Sequence, residues 1–163
     1  MASNGHLTPA DRADRVRAIV AAHREDRGAL MPILHDIQDE FGHLDPDIVP
    51  MLAGELNISR AELHGVITFY TDFRAEPPGR TTLRLCRAEA CKSVGAEQLV
   101  AHAEQVLGIK TGQTTPDGSV TLGQVFCLGN CALGPAAQVN GRLHGRLDPR
   151  RLDDLLATET AGS

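Results

Sequence analysis

The chain has 163 residues, of which 42% are hydrophobic and 23% charged, with a formal net charge of −5. That length and balance suit a soluble globular protein of one ordinary domain or two small ones. The acidic total argues against a nucleic-acid partner, which calls for a basic face against phosphates. No apolar run reaches the ~18 residues of a membrane span, so no membrane insertion is expected. Residues 1–5 lack the basic start and apolar core of a secretory signal, and the Asp and Arg mixture that follows does not suit an acid-poor transit peptide. A cytoplasmic location is expected.

The first half reads as short helices. Thr8-Pro9 is an N-cap and first-turn signal, followed by Val16, Ile19, Val20 and His23 at helical spacing. Leu30, Ile33, Leu34, Ile37 and Phe41 form the stripe of a second helix, stopped by Gly42. Asp45-Pro46 opens a third, with Leu52 and Leu56 inward; Pro50 fits only in its first turns, where the missing N–H is tolerated. Ser59 with Glu62 is a capping box for a fourth helix that turns Leu63, Val66, Ile67 and Tyr70 inward. Glu76-Pro77-Pro78-Gly79 then interrupts any helix. It divides the chain into a helical domain over residues 8–75 and a second domain over 79–157.

The second half alternates. Residues 81–85 read as a strand with Thr81, Leu83 and Leu85 on one face. Residues 95–107 read as a helix carrying Leu99, Val100, Ala103, Val106 and Leu107. Thr115-Pro116-Asp117-Gly118 is a turn, and residues 120–126 are a second strand. Asn140-Gly141, between 137–140 and 142–144, is the strongest short hairpin signal. Asp148-Pro149 starts a last helix with Leu152, Leu155 and Leu156. A strand–helix–strand start makes the first two strands parallel. The ends, 1–7 and 157–163, are expected to fray.

All four cysteines lie in this second half, as Cys86-x₄-Cys91 and Cys127-x₃-Cys131. In a reducing compartment an even set of cysteines points to metal or redox work rather than disulfides. Each pair follows a predicted strand, and parallel strands bring both pairs to one rim of the sheet. Four thiolates suit zinc or an iron–sulfur cluster. Structural zinc prefers tight C-x₂-C knuckles, whereas looser loops span a two-iron cluster with two thiolates on each iron. A thiol redox pair, which favours C-x-x-C at a helix start, and unliganded cysteines are further alternatives. Gly129 lets the second loop curl its N–H groups inward, and Gly134-Pro135 turns the chain away.

On these residues the second half resembles the thioredoxin-like [2Fe–2S] ferredoxin subunit that accompanies the flavoprotein of respiratory NADH dehydrogenase. Leu122 to Pro135, with Cys127-Leu128-Gly129-Asn130-Cys131 at its core, is similar to that family's second cluster loop. The helical half, ending in Val66-Ile67-Thr68-Phe69-Tyr70-Thr71-Asp72-Phe73, is similar to its N-terminal region. The resemblance implies an α+β protein: an N-terminal helical bundle domain, then a thioredoxin-like α/β [2Fe–2S] ferredoxin domain. It implies Cys86, Cys91, Cys127 and Cys131 as ligands of one [2Fe–2S] cluster. Leu85-Cys86-Arg87-Ala88-Glu89-Ala90-Cys91-Lys92 looks most like the gamma subunit of soluble NAD-dependent formate dehydrogenases. That implies a flavoprotein partner binding FMN and NAD, and a large subunit carrying the molybdenum cofactor. Respiratory NADH dehydrogenase and NAD-reducing hydrogenase are the alternative parent enzymes; a zinc-stabilised adaptor without redox chemistry is the alternative of another class.

No catalytic site is expected on the chain itself. His6, His23, His35, His43, His64, His102 and His144 are scattered, with no second ligand at a metal spacing. Asp39-Glu40 and Asp153-Asp154 are adjacent on helices and do not face one point. Gly123 and Gly129 fit neither G-x-G-x-x-G nor a P-loop, which assigns NAD and flavin to a partner. Phe69, Tyr70 and Phe73 are expected to pack between the domains, a partner surface being the other reading. Arg74, Arg87 and Lys92 flank the first cysteine loop, where positive charge would offset a reduced cluster; plain solubility is the other reading.

Overall fold

A computed structural model of the protein describes residues 8–161; the expectation of fraying over 1–7 lies outside the described residues. The chain divides between Pro77 and Pro78 into two compact units, each built around its own core.

In the first unit, α1 (Pro9–Ala22) begins at a reciprocal capping box: Thr8 Oγ1 accepts from the Asp11 N–H, and Asp11 accepts from the Thr8 N–H. Helix α2 (Leu30–Phe41) stops at Gly42, whose φ of 80° places it in the left-handed region that glycine enters without strain. A 3₁₀ turn over Pro46–Ile48, capped by Asp45, leads into α3 (Val49–Leu56), where Pro50 occupies the first turn. Helix α4 (Arg60–Phe69) starts at the Ser59–Glu62 capping box. The core gathers Val16, Ile33, Leu34, Ile37, Leu52 and Leu63, and the Arg12–Asp45 ion pair at 2.6 Å ties α1 to the segment before α3.

The expectation that Tyr70 turns inward is corrected here. Tyr70 caps α4 and is 44% exposed, and Phe69 is 77% exposed. Phe73 instead enters the core of its own unit, with its ring centroid 4.9 Å from that of His35. The helix ends at Phe69, so its periodicity no longer sets where the next rings point.

The second unit is a four-stranded sheet in the order β2-β1-β3-β4, from β1 (Thr81–Cys86), β2 (Val120–Val125), β3 (Ala137–Val139) and β4 (Arg142–His144). Strands β1 and β2 run parallel, from Thr81↔Val120 to Cys86↔Val125, and the other pairs are antiparallel. Asn140 (φ 47°) and Gly141 (φ 83°) make the β3–β4 turn with both φ positive, as a type I′ turn requires. Leu83, Leu85, Leu122, Ala137 and Val139 are buried together with Leu99, Val100 and Ala103 of α6 (Ala96–Leu107) and with Leu152 and Leu156 of α7 (Pro149–Ala161). Each fully buried leucine in that layer contributes about 1.5–3 kcal/mol relative to exposure.

Three expectations change in this unit. Residues 157–161 continue α7, and the Thr158 and Thr160 hydroxyls donate back to the Asp154 and Leu156 carbonyls. Val106 lies at the margin of the α6 stripe and is 53% exposed. After Cys86 the chain forms a short helix, α5 (Glu89–Ser93), which contains Cys91, rather than an open loop; five residues are too few for periodicity to reveal.

Candidate metal centre

The parallel register delivers the cysteines to one rim. Cys86 is the last residue of β1, opposite Val125 at the end of β2, and Cys127 follows two residues later. Two backbone bonds lock the rim: the Arg87 N–H donates to Val125 O at 2.8 Å, and the Cys86 N–H donates to Ala136 O at 3.0 Å. Cys91 lies in α5, and Cys131 opens a 3₁₀ turn over Cys131–Leu133. All four cysteines are free thiols.

The pairs differ in burial. Cys86 and Cys91 are buried with Ala96 and Ala136, with Ala88, Val125 and Leu128 around them, whereas Cys127 and Cys131 are exposed. Burial alone pushes the Cys86 thiol up. The Ala88 N–H, the Cys91 thiol and the Leu128 and Cys127 N–H groups all reach its sulfur, and the net effect is to lower its pKa. Cys91 is raised by burial first, then by the Cys86 sulfur, against one N–H from Ala136. Cys131 is raised chiefly by its neighbour Cys127. N–H groups of the second loop therefore serve a sulfur of the first, so the two sequence-distant pairs form one site.

The Cys127 and Cys131 Sγ atoms are 3.7 Å apart. Two thiolates on one tetrahedral metal at about 2.3 Å stand about 3.7 Å apart, so this pair has the spacing at which two thiolates share one metal ion. Among the described residues no three His, Cys, Asp or Glu side chains are grouped for one ion. Cys127 holds φ at 100° and Gly129 holds φ at 74°, and this curl aims the Gly129 N–H at the Cys127 sulfur, 3.3 Å away. Gly134 passes between the pairs: a Cβ there would stand 3.3 Å from Cys91 Sγ and 3.1 Å from Val94 Cγ2.

The charge expectation is revised. Arg87 is not a free cation beside the sulfurs. Its Nε and Nη2 donate to Glu97 at 3.1 and 2.8 Å, and its Nη1 donates to Gln124 Oε1 at 2.8 Å. This fork joins the residue after Cys86 to α6 and β2, and the Arg87 guanidinium holds the Glu97 carboxyl below its usual range. Lys92 Nζ is 3.9 Å from Glu89. No local pattern joins residues 87, 97 and 124, so sequence reading had no signal for the fork.

Two cysteine pairs at the rim of a small parallel-start sheet offer four soft donors, the ligand type of a thiolate metal protein. The chain belongs to the thioredoxin-like [2Fe–2S] ferredoxin family, whose model matches residues 16–160. It is 43% identical to an NADH-quinone oxidoreductase subunit from Rhizobium meliloti, over 88% of this chain and 85% of that protein. It is 32% identical to the HndA subunit of the NADP-reducing hydrogenase from Solidesulfovibrio fructosivorans, over 82% of this chain and 78% of that one. Among solved structures, an NAD+-reducing [NiFe]-hydrogenase superposes on 82% of this chain with a TM-score of 0.68 and 28% identity. The chain covers 23% of that hydrogenase chain. No helix among the described residues is long and apolar enough to cross a membrane.

Proposed function

We propose that this chain is the electron-transfer subunit of a multisubunit NAD-dependent oxidoreductase, and specifically the gamma subunit of a molybdenum-containing formate dehydrogenase. The observation that carries the electron-transfer reading is the convergence of the two cysteine pairs, one buried and one exposed, at the end of β1 and β2. In this reading Cys86 and Cys91 hold one iron and Cys127 and Cys131 the other. The bound [2Fe–2S] cluster would accept and release one electron. The chain's own residues do the rest. N–H groups of Ala88, Leu128, Cys127 and Gly129 neutralise sulfur charge, and burial by Ala96 and Ala136 keeps water from the inner pair. All four donors are protein thiolates, which leaves no position for substrate, so FMN and NAD belong to a flavoprotein partner.

The finer assignment rests on Arg87-Ala88-Glu89-Ala90 between the first two cysteines. It adds a large subunit bearing the molybdenum cofactor as a second partner. The relatives named above favour a second reading, the equivalent subunit of an NADH dehydrogenase or an NAD-reducing hydrogenase. Affinity purification of the tagged chain from its native cells, with metal analysis and formate-dependent NAD reduction, separates these. Co-purifying molybdenum and formate activity support the first reading; nickel or membrane subunits support the second. The isolated chain should be brown, bleach with dithionite and give a low-temperature EPR signal. A colourless, zinc-loaded chain would overturn both.

A further inference from the structure

Gly145 follows β4, far in sequence from every cysteine. Its φ lies outside the left-handed region, so its backbone conformation does not call for glycine. Its surroundings do. A Cβ at Gly145 would stand 2.7 Å from Leu133 O, 2.8 Å from Asn130 Nδ2 and 2.8 Å from Leu133 Cβ. Two of these three atoms belong to the short turn that begins at Cys131, and the third to the residue before it.

The neighbours of Gly145 fasten the same turn. The Arg146 N–H donates to Leu133 O at 2.6 Å and the Leu147 N–H donates to Pro135 O at 3.0 Å. Leu147 is 7% exposed and sits in the sheet core. Arg151 Nη1 donates to Arg146 O at 2.9 Å, which joins the segment to α7. The segment is thus anchored on one side to the core and on the other to the turn holding Cys131.

We propose that Gly145 is a positioning residue for the exposed ligand pair: its bare Cα is the seat on which the Asn130–Leu133 turn rests, and the seat sets where Cys131 Sγ stands relative to Cys127 Sγ. The inference rests on the cluster reading above. An added methyl must lift the turn by several tenths of an ångström, because close-packed interiors transmit such wedges rather than absorb them. The buried pair, held by β1, α5 and Ala136, stays in place.

The test uses the full chain. Gly145→Ala is compared with Gly123→Ala, whose Cβ would meet nothing closer than Arg84 Cγ at 3.4 Å. Iron and acid-labile sulfide, EPR g-values after dithionite, the rate of iron loss to a chelator and far-UV circular dichroism are measured on each. Gly145→Ala should keep its circular dichroism, shift its g-values and lose iron about tenfold faster, the range expected for disturbing a ligand's support; Gly123→Ala should match the parent. Native g-values and native iron release in Gly145→Ala would overturn the proposal. An unmodified chain that holds no iron and sulfide would instead overturn the cluster reading itself. Should Gly145→Ala fail to fold, Asn130→Ala combined with Gly145→Ala removes one contact and keeps both with Leu133. A spectrum shifted from that of Asn130→Ala alone then supports the proposal, and an unshifted one overturns it.

Discussion

The sulfurs of Cys127 and Cys131 stand 3.7 Å apart on the exposed side of the sheet-bearing unit. The other two cysteines are 2% and 1% exposed. Removing a ligand should therefore have different consequences on the two sides.

Cys127→Ser should lose the cluster while leaving the cluster-free chain about as stable as before, because its side chain is exposed. Cys91→Ser should lose the cluster and also destabilise the sheet-bearing unit by about 1–3 kcal/mol, since it buries a hydroxyl in an apolar cluster. Iron and sulfide analysis with urea unfolding of the cluster-free chains checks both. Full iron retention in Cys127→Ser would sink the ligand assignment.

Arg87→Lys replaces a planar fork by a point charge and cannot hold Glu97 and Gln124 together. Faster iron loss to chelator is expected, with a small fall in thermal midpoint that grows at low salt. Lys92→Ala, which gives up a 3.9 Å pair with an exposed Glu89 and a weaker charge effect on Glu97, should change both far less. Equal behaviour of the two variants would contradict a positioning role for Arg87.

His23 closes α1 with both ring nitrogens engaged, to Asp36 and Asp26 at 2.7 Å each. Asp36, then Asp26, raises its pKa above the ordinary 6.5. A raised folded value means that the stabilisation is complete below pH 6.5 and fades as pH climbs through the folded pKa. Amide protection in α1 and α2 should therefore fall across that rise, and the pH dependence should vanish in His23→Gln. An NMR titration placing His23 at or below its ordinary value would refute this.

Leu152→Ala empties a site that is 0% exposed between α7 and the sheet, and should cost about 2–5 kcal/mol. Val106→Ala, on the open margin of α6, should stay within about 0.5 kcal/mol. Chemical unfolding monitored by circular dichroism measures both, and similar midpoints for the two would mean that the core has been misassigned.

Much of this protein was legible before folding because its signals are short-range. The Ser59–Glu62 box, the Gly42 stop, the Asn140-Gly141 turn and the parallel pairing implied by strand–helix–strand order are each written within a few residues or one crossover. The two cysteine spacings favoured zinc or iron–sulfur over a thiol redox pair or unliganded cysteines, and the resemblance narrowed the choice further. Folding alone decided the remainder. The burial of one cysteine pair but not the other, the Arg87–Glu97–Gln124 fork and the seat at Gly145 all depend on atoms brought together from distant parts of the chain. Hydrogen bonds and steric contacts act over a few ångströms of space, and sequence separation says nothing about such neighbours until the backbone has closed.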